Sequence, residues 1–197
     1  MVLSTYEKLI QGLLDKGFES VDSWLTNEEL VCLRKSLLVH YENDDFHTAG
    51  IGNKVNLQTL EQVRNDHIYW VDFSKANAYE QLFHSKITDF IDYLNRTCFT
   101  GIQSFEFQYA VYDEGSFYKK HVDRFMNDDK RQFSVVFYLS EDWKEGDGGE
   151  LRLYLDHQEH EIKPVPGRMV FFQSDIPHEV LVSKQMRLSL TGWLKTR

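Results

Sequence analysis

The sequence predicts a mainly β protein of the α+β class, in which N-terminal helices cover a double-sheet jelly roll. Three observations support this class. The first half of the chain carries apolar residues at helical spacing. From Gly101 onward, short apolar or alternating segments follow one another with turn sequences between them. No helical segment separates these later segments, which favours antiparallel pairing over a parallel sheet with crossover helices.

Apolar spacing predicts three helices in the first half, at about 9–17, 26–41 and 78–97. The second helix has a clear start, because Thr26 can cap its N-terminus and acidic residues follow in the first turn. Between the second and third helices lies a long polar stretch, residues 44–65. Long irregular segments in compact domains are often functional loops. A disordered insertion is the alternative, and the sequence favours neither reading.

The second half of the chain predicts a set of short strands. Their expected positions are 102–112, 117–122, 132–140, 149–156, 160–163, 168–173, 178–183 and 186–195. The third of these is apolar on both faces, as expected for a central strand that is covered on both sides. We therefore expect a single domain over 1–197, with 1–100 as a mainly helical cover and 101–197 as the jelly-roll core.

Charge and apolar patterning exclude some classes of function. The net charge of −9 disfavours the basic surface that a nucleic-acid binder needs. No apolar segment has the length of a membrane span or a secretion signal, so we expect a cytoplasmic protein without a membrane partner. Cys32 and Cys98 are expected to be buried, reduced thiols.

Two histidines and an aspartate form the strongest chemical signal. His121 and Asp123 stand two residues apart, so on a strand both side chains point to the same face. Such a pair is common by chance, but His178 begins a later predicted strand that a jelly roll can bring alongside. Two imidazoles and one carboxylate are the ligand set of a non-haem Fe(II) site with open coordination positions.

The last predicted strand supplies a second, independent signal. Its two faces differ: one carries leucines and Gly192, and the other carries Arg187, Ser189, Thr191 and Trp193. If the leucines face the covering helices, Arg187 faces the interior, where a cation needs an anionic partner. An arginine fork suits the carboxylate of a co-substrate. The alternatives are an exposed arginine on an edge strand or one paired with an internal glutamate.

Three tyrosines lie near these residues in the predicted fold. Tyr112 and Tyr118 precede the His121 strand position, and Tyr138 lies on the central strand, on the face opposite Phe137. Tyr138 could therefore point at a co-substrate, although most buried tyrosines are simply core residues. The pair His157 and His160 looks metal-like but is better explained as a solvated hairpin tip.

Several motifs together resemble one enzyme family, the Fe(II)/2-oxoglutarate prolyl hydroxylases of the type that includes the hypoxia sensors and their bacterial relatives. The resemblance covers roughly 17–193. Arg187, nine residues after His178, resembles this branch rather than the collagen-type branch, which uses lysine. The segments that carry the resemblance are 64–70 (RNDHIYW), 118–123 (YKKHVD), 138–143 (YLSEDW), 148–152 (GGELR) and 172–193.

The resemblance implies a fold, a cofactor and a role for each residue. The fold would be the cupin-like double-stranded β-helix. His121, Asp123 and His178 would bind iron, and Arg187 would bind the distal carboxylate of 2-oxoglutarate. The other residues implied at the site are Tyr138 and Thr191, which would help Arg187, and Tyr112 and Tyr118, which would lie near the co-substrate and metal.

The resemblance also implies a reaction and its partners. O2 and 2-oxoglutarate would be co-substrates, and the target would be a prolyl residue in a protein, as in bacterial relatives that act on a translation elongation factor. Residues 44–65 would close over the peptide, and ascorbate would support turnover by keeping the iron reduced.

Two alternatives stay open at the level of sequence. One is a hydroxylase of a free amino acid or other small molecule, which a closed pocket with a second anion-binding arginine would favour, whereas an open groove beside residues 44–65 would favour a peptide. Arg64 and Arg152 are candidate arginines for either. The other is a cupin-like ligand-binding module without enzymatic activity, since a fold does not fix a function.

Overall fold

The computed structural model describes residues 2–22, 24–50, 62–124 and 130–196 of the chain. The helices are α1 (Val2–Lys16), α2 (Asn27–Glu42) and α3 (Ala78–Cys98). The strands are β1 (Phe18–Val21), β2 (His47–Thr48), β3 (His67–Trp70), β4 (Ser104–Tyr112), β5 (Tyr118–His121), β6 (Arg131–Tyr138), β7 (Leu151–Leu155), β8 (Gln158–Ile162), β9 (Met169–Gln173), β10 (His178–Val180) and β11 (Arg187–Lys195). The three predicted helices and the eight predicted strands after Gly101 are all present.

The strands form two antiparallel sheets. The larger sheet has seven strands in the order β1-β9-β6-β11-β4-β3-β2, and the smaller has four in the order β5-β10-β7-β8. Strands that are distant in sequence are therefore neighbours in both sheets, as in a jelly roll. The predicted fold class is confirmed: the protein is mostly antiparallel β, with few helices.

The first hundred residues contribute more than a helical cover. β1 pairs with β9 at one edge of the larger sheet, and β3 and β2 extend the opposite edge beyond β4. The prediction that residues 44–65 are irregular is thus wrong at His47–Thr48, which forms a short strand. Its central part, 51–61, lies outside the described residues.

Local signals define where two helices start. The Thr26 side chain accepts a hydrogen bond from the Glu29 amide, and the Glu29 carboxylate accepts one from the Thr26 amide. Asn77 and Glu80 form the same reciprocal cap at the start of α3. Each cap satisfies amide groups that a helix leaves without a partner.

The helices cover one face of the larger sheet, and the second core lies between the sheets. On β6, Phe133, Val135 and Phe137 pack in the cluster that contains the buried faces of the three helices. Val136 and Tyr138 point the other way and pack against β7 and β9. This alternation confirms that β6 is a central strand covered on both faces.

Both cysteines are free thiols, but their expected burial is wrong. Cys32 is half-buried, and Cys98 is exposed. Cys98 is the last residue of α3, and the next residue, Phe99, ends the helix in the left-handed conformation. Among the described residues, no helix has the length and apolar character required to cross a membrane.

Candidate metal centre

Strand pairing in the smaller sheet brings the two histidines together. His178 on β10 lies directly opposite His121 on β5. Asp123 follows β5, and its amide donates a 3.0 Å hydrogen bond to the carbonyl of Ser174. The ligand atoms of His121, Asp123 and His178 all lie within 4.8 Å of one another. The three residues predicted as ligands therefore converge at one point.

Backbone carbonyls orient both imidazoles. The Nδ1 atom of His121 lies 2.8 Å from the carbonyl oxygen of Lys119, and that of His178 lies 2.8 Å from the carbonyl of Ile176. A carbonyl only accepts, so Nδ1 carries a proton in each ring, and in the neutral form of such a ring the lone pair lies on Nε2. The Nε2 atoms of His121 and His178 lie 3.7 and 3.4 Å from the two oxygens of Asp123.

The electrostatics of the triad favour the ligand forms of these groups. Burial lowers the pKa of His121 to about 3, and the neighbouring His178 acts in the same direction. Burial alone would raise the pKa of Asp123, but His178, His121 and a hydrogen bond from Ser134 outweigh it and hold that pKa below its ordinary value. At neutral pH the site therefore offers a neutral His121 imidazole and a carboxylate, as metal binding requires.

Aromatic rings restrict the two histidines further. The Tyr118 ring stacks on His121 with centroids 3.5 Å apart and planes 14° apart. Phe172 meets His178 edge-on at 4.9 Å. Burial raises the pKa of Tyr118 to about 12, so its phenol is neutral. Tyr118 thus lies beside the metal triad, as the sequence predicts.

Arg187 is a charged residue buried in the interior. It is 4% exposed, and the rings of Tyr112 and Tyr138 lie 4.8 and 4.9 Å from its guanidinium carbon. Its Nη1 donates a long hydrogen bond, 3.4 Å, to Ser189, while Nε has no hydrogen-bond partner among the described residues. No described carboxylate forms an ion pair with Arg187, so the cation has no counter-ion in this part of the chain.

A second polar group beside Arg187 also lacks a partner among the described residues. The Tyr138 hydroxyl is also buried, with no partner among the described residues. Tyr112 lies opposite Arg187 across β4 and β11, and Thr191 is half-buried further along β11. A Cβ atom at Gly149, whose φ is +73°, would lie 2.8 Å from the Arg187 Cδ atom, so a larger residue there would displace the arginine.

Of the other residues considered from the sequence, Arg64 lies beside the site, with its guanidinium carbon 4.1 Å from the centre of the Tyr118 ring. Arg64 is buried and makes two hydrogen bonds of 2.8 and 2.6 Å to Asp66, and Arg152 pairs with glutamates on β8 and β10 of the smaller sheet. Both arginines are thus paired with carboxylates, and neither offers a guanidinium without a counter-ion. His157 lies in the two-residue turn between β7 and β8, with φ of 64°, which agrees with a hairpin tip.

Sequence reasoning missed two serines. Ser134 on β6 and Ser174 after β9 are fully buried, and the Ser134 hydroxyl lies 2.7 Å from an Asp123 oxygen. The available signal was Ser134 itself, a polar residue in an otherwise apolar run that shares a strand face with Val136 and Tyr138.

Comparison with known proteins identifies the family. The model of the 2OG-Fe(II) oxygenase superfamily matches residues 107–195. The crystal structure of a Pseudomonas putida prolyl-4-hydroxylase is 34% identical, with a TM-score of 0.86, and the match covers 98% of this chain and 99% of that one. This chain belongs to the 2OG-Fe(II) oxygenase superfamily. The resemblance seen in the sequence is therefore confirmed, together with the Fe(II) and 2-oxoglutarate on which this superfamily depends.

Two further relatives of this oxygenase come from animals. The hypoxia-inducible factor prolyl hydroxylase of Caenorhabditis elegans is 30% identical over 95% of this chain, which spans 28% of that relative's length. A Trichoplax adhaerens prolyl hydroxylase, solved with a hypoxia inducible factor peptide, covers 98% of this chain and 90% of its own, with a TM-score of 0.88. At 22% identity that structure shows the shared fold alone.

The interior of this oxygenase fits both groups that its superfamily uses. Two imidazoles with free Nε2 atoms and one carboxylate form a donor set suited to Fe(II). The unpaired Nε of Arg187 and the unpaired hydroxyl of Tyr138 are donors of the kind that a dicarboxylic acid can satisfy.

Proposed function

We propose that this chain is an Fe(II)- and 2-oxoglutarate-dependent dioxygenase that hydroxylates a prolyl residue in a protein substrate. One observation carries the proposal: Arg187 is a buried cation without a described counter-ion, in the same interior as a 2-His-1-carboxylate triad. A buried charge is costly unless an anion meets it. A carboxylate ligand beside the metal would be that anion.

The triad would hold the iron through the Nε2 atoms of His121 and His178 and a carboxylate oxygen of Asp123. Three protein ligands leave three coordination positions open, which suits a chelating oxo-acid and O2. When bound, the iron supplies the activation of O2, coupled to the conversion of 2-oxoglutarate to succinate and CO2. The protein holds and orients the reactants and excludes water.

The residues around Arg187 would hold the co-substrate. The guanidinium fork would bind the distal carboxylate with two hydrogen bonds, and the Tyr138 hydroxyl would donate another. Thr191 would contribute from the same face of β11, and the Tyr112 ring would hold the guanidinium in place. Burial raises the pKa of Tyr138, so its phenol keeps the proton that it would donate.

Differences in depth suggest how the substrate approaches. Arg187 is buried, whereas His121 is partly exposed. The co-substrate would therefore occupy the deep end of the interior, and the target C–H would approach from the solvent side of the triad. A prolyl residue in a protein is favoured because the relatives at 30% and 34% identity are named as prolyl hydroxylases.

The two alternatives differ in what supports them. A hydroxylase of small molecules would be favoured by a second free arginine, but Arg64 and Arg152 are both paired with carboxylates. A binding module without turnover would leave the unpaired Arg187 and the triad without a chemical role. The single domain over 1–197, the cytoplasmic location and the support by ascorbate stay predictions.

Turnover of 2-oxoglutarate tests the proposed chemistry. We expect the purified chain with added Fe(II) to form succinate, and His121→Ala to lose this activity while remaining folded, because a metal ligand is gone. His157→Ala is the matched control, since it removes an exposed turn histidine. Retained activity in His121→Ala would contradict the ligand assignment. A wild-type chain that binds metal without turnover would leave the binding module as the function.

The substrate requires a separate experiment. Mass spectrometry would compare the proteins of cells with and without this chain. We expect a prolyl residue that carries one additional oxygen atom only when the chain is present. If no protein changes but a free amino acid or other metabolite is hydroxylated, the small-molecule alternative is correct.

A further inference from the structure

Two buried serines form a hydrogen-bonded chain that ends on the metal-ligating carboxylate. Ser134 and Ser174 are both 0% exposed. The Ser134 hydroxyl lies 2.7 Å from the Asp123 Oδ2 atom, and the two serine hydroxyls lie 2.9 Å apart. We infer that Ser134, supported by Ser174, is a positioning residue that engages Oδ2, the Asp123 oxygen 3.4 Å from His178 Nε2, and restrains how the carboxylate is presented to the metal. This inference rests on the proposed function.

The direction of each hydrogen bond follows from the proton count. An ionised Asp123 carboxylate can only accept hydrogen bonds. Ser134 has one hydroxyl proton, and at 2.7 Å from Asp123 it must donate that proton to the carboxylate. The proton between the two serines therefore belongs to Ser174. The chain runs from Ser174 to Ser134 to Asp123, and each hydroxyl is used as a donor once.

This direction has a consequence for metal binding. A charge-assisted hydrogen bond from Ser134 engages Oδ2 and resists rotation of the carboxylate. Without it, Asp123 could turn and bind the metal through both oxygens, taking a position that 2-oxoglutarate or O2 needs. Ser134 would thus act through Asp123, and the arrangement would preserve the open face of the site.

The backbone of Ser174 fixes the same ligand from another side. Its carbonyl accepts hydrogen bonds of 3.0 Å from the amides of both Asp123 and Arg124. Its own amide donates to the carbonyl of Gln132, which lies two residues before Ser134 on β6. One residue therefore holds the main chain of Asp123 directly and its side chain through Ser134. A pair of serines that only filled the core would not need both connections.

Metal affinity separates this role from a purely structural one. The probe is Mn(II), which does not oxidise readily, titrated by calorimetry into the full chain. We expect Ser134→Ala to weaken Mn(II) binding by roughly 10- to 100-fold, the usual effect of removing a partner of a metal ligand. Ser134→Thr keeps the hydroxyl on a strand position and should restore most of the affinity.

A buried serine far from the triad provides the matched control. Ser36 is 9% exposed, donates to the Cys32 carbonyl and accepts from the Asn77 side chain, so Ser36→Ala also removes two hydrogen bonds. We expect Ser36→Ala to bind Mn(II) as tightly as the wild type. The visible absorption of the Co(II)-loaded chain gives a second readout, because it changes with coordination number, and it should change in Ser134→Ala alone.

Each outcome has a definite meaning. A folded Ser134→Ala that binds Mn(II) as tightly as the wild type would overturn the inference and leave the proposed function intact. A wild-type chain that fails to bind Mn(II) would overturn the proposed metal site itself. If Ser134→Ala does not fold, Ser174→Ala is the test. Weaker binding in that variant supports the inference, and unchanged binding overturns it.

Discussion

Arg187 shows how much a single side chain can say about function. Alternation along the last strand, taken together with the upstream triad, predicts that it points inward, and the structure places it among Tyr112, Tyr138 and Ser189. In a folded protein, a buried guanidinium usually has a carboxylate partner. No such partner lies among the described residues, and under the proposed function the co-substrate carboxylate would take that place.

Arg187→Lys tests this interpretation. We expect the 2-oxoglutarate concentration for half-maximal succinate formation to rise about 10- to 100-fold, because loss of one charged hydrogen bond is worth about 1.5–3 kcal/mol. A lysine presents a point charge instead of a fork. The measurement is the 2-oxoglutarate dependence of turnover at saturating Fe(II).

Arg168→Lys is the matched control for that change. Arg168 makes two hydrogen bonds to Asp22, of 2.7 and 3.2 Å, outside the interior that holds Arg187. Its replacement should leave the 2-oxoglutarate requirement unchanged. If Arg187→Lys also leaves it unchanged, another residue binds the distal carboxylate.

The sequence indicates the candidate metal triad more clearly than the residues that support it. Histidine, aspartate and arginine have distinctive chemistry, so their spacing on strands carries a signal. Ser134 and Ser174 do not, because buried serines are common and their partners lie on other strands. The pairing of Arg152 with Glu161 and Glu179 could not be predicted from the sequence either, because it depends on which strands are neighbours.

At the scale of elements, patterns predicted those with strong periodicity. The helices and the eight later strands have long apolar stripes or clear turns between them. β1 has four residues and β2 has two, which is too few to establish alternation. β1 pairs with β9, which is distant in the sequence, and β2 pairs with the short strand β3. Such strands form because a sheet edge is available, and a linear sequence does not show that edge.

β11 holds the larger sheet together, and one glycine permits its close packing. Gly192 lies opposite Phe107 on β4, and an added Cβ atom would lie 2.3 Å from the Phe107 ring and 2.6 Å from the Glu106 carbonyl. We expect Gly192→Ala to lower the free energy of unfolding by about 1–3 kcal/mol through overpacking. Urea denaturation measures this loss. Unchanged stability would mean that the Phe107 ring can move aside.

At the scale of the whole molecule, acid should weaken the fold through paired carboxylates. Burial opposes ionisation of Glu106, but Lys195 and Arg131, each 2.8 Å away, outweigh it and hold its pKa below the ordinary 4.5. Because the folded pKa is lower than the unfolded one, this contribution is present above pH 4.5 and is lost as the pH falls through the folded value.

Urea denaturation at neutral and acidic pH tests this expectation. The wild-type midpoint should fall as the pH is lowered below 4.5, the ordinary glutamate value. Glu106→Gln should be less stable than the wild type at neutral pH and should show a weaker dependence on acid. An identical pH dependence in both proteins would show that Glu106 does not contribute.

The direct opposition of His121 and His178 links cofactor loading to correct assembly. These residues meet only when β5 and β10 pair in their native register. A slip of one residue would turn one imidazole to the other side of the sheet. Chains with the wrong register would thus bind no iron and would be inactive. The fraction of chains that bind iron would therefore measure how many have folded correctly.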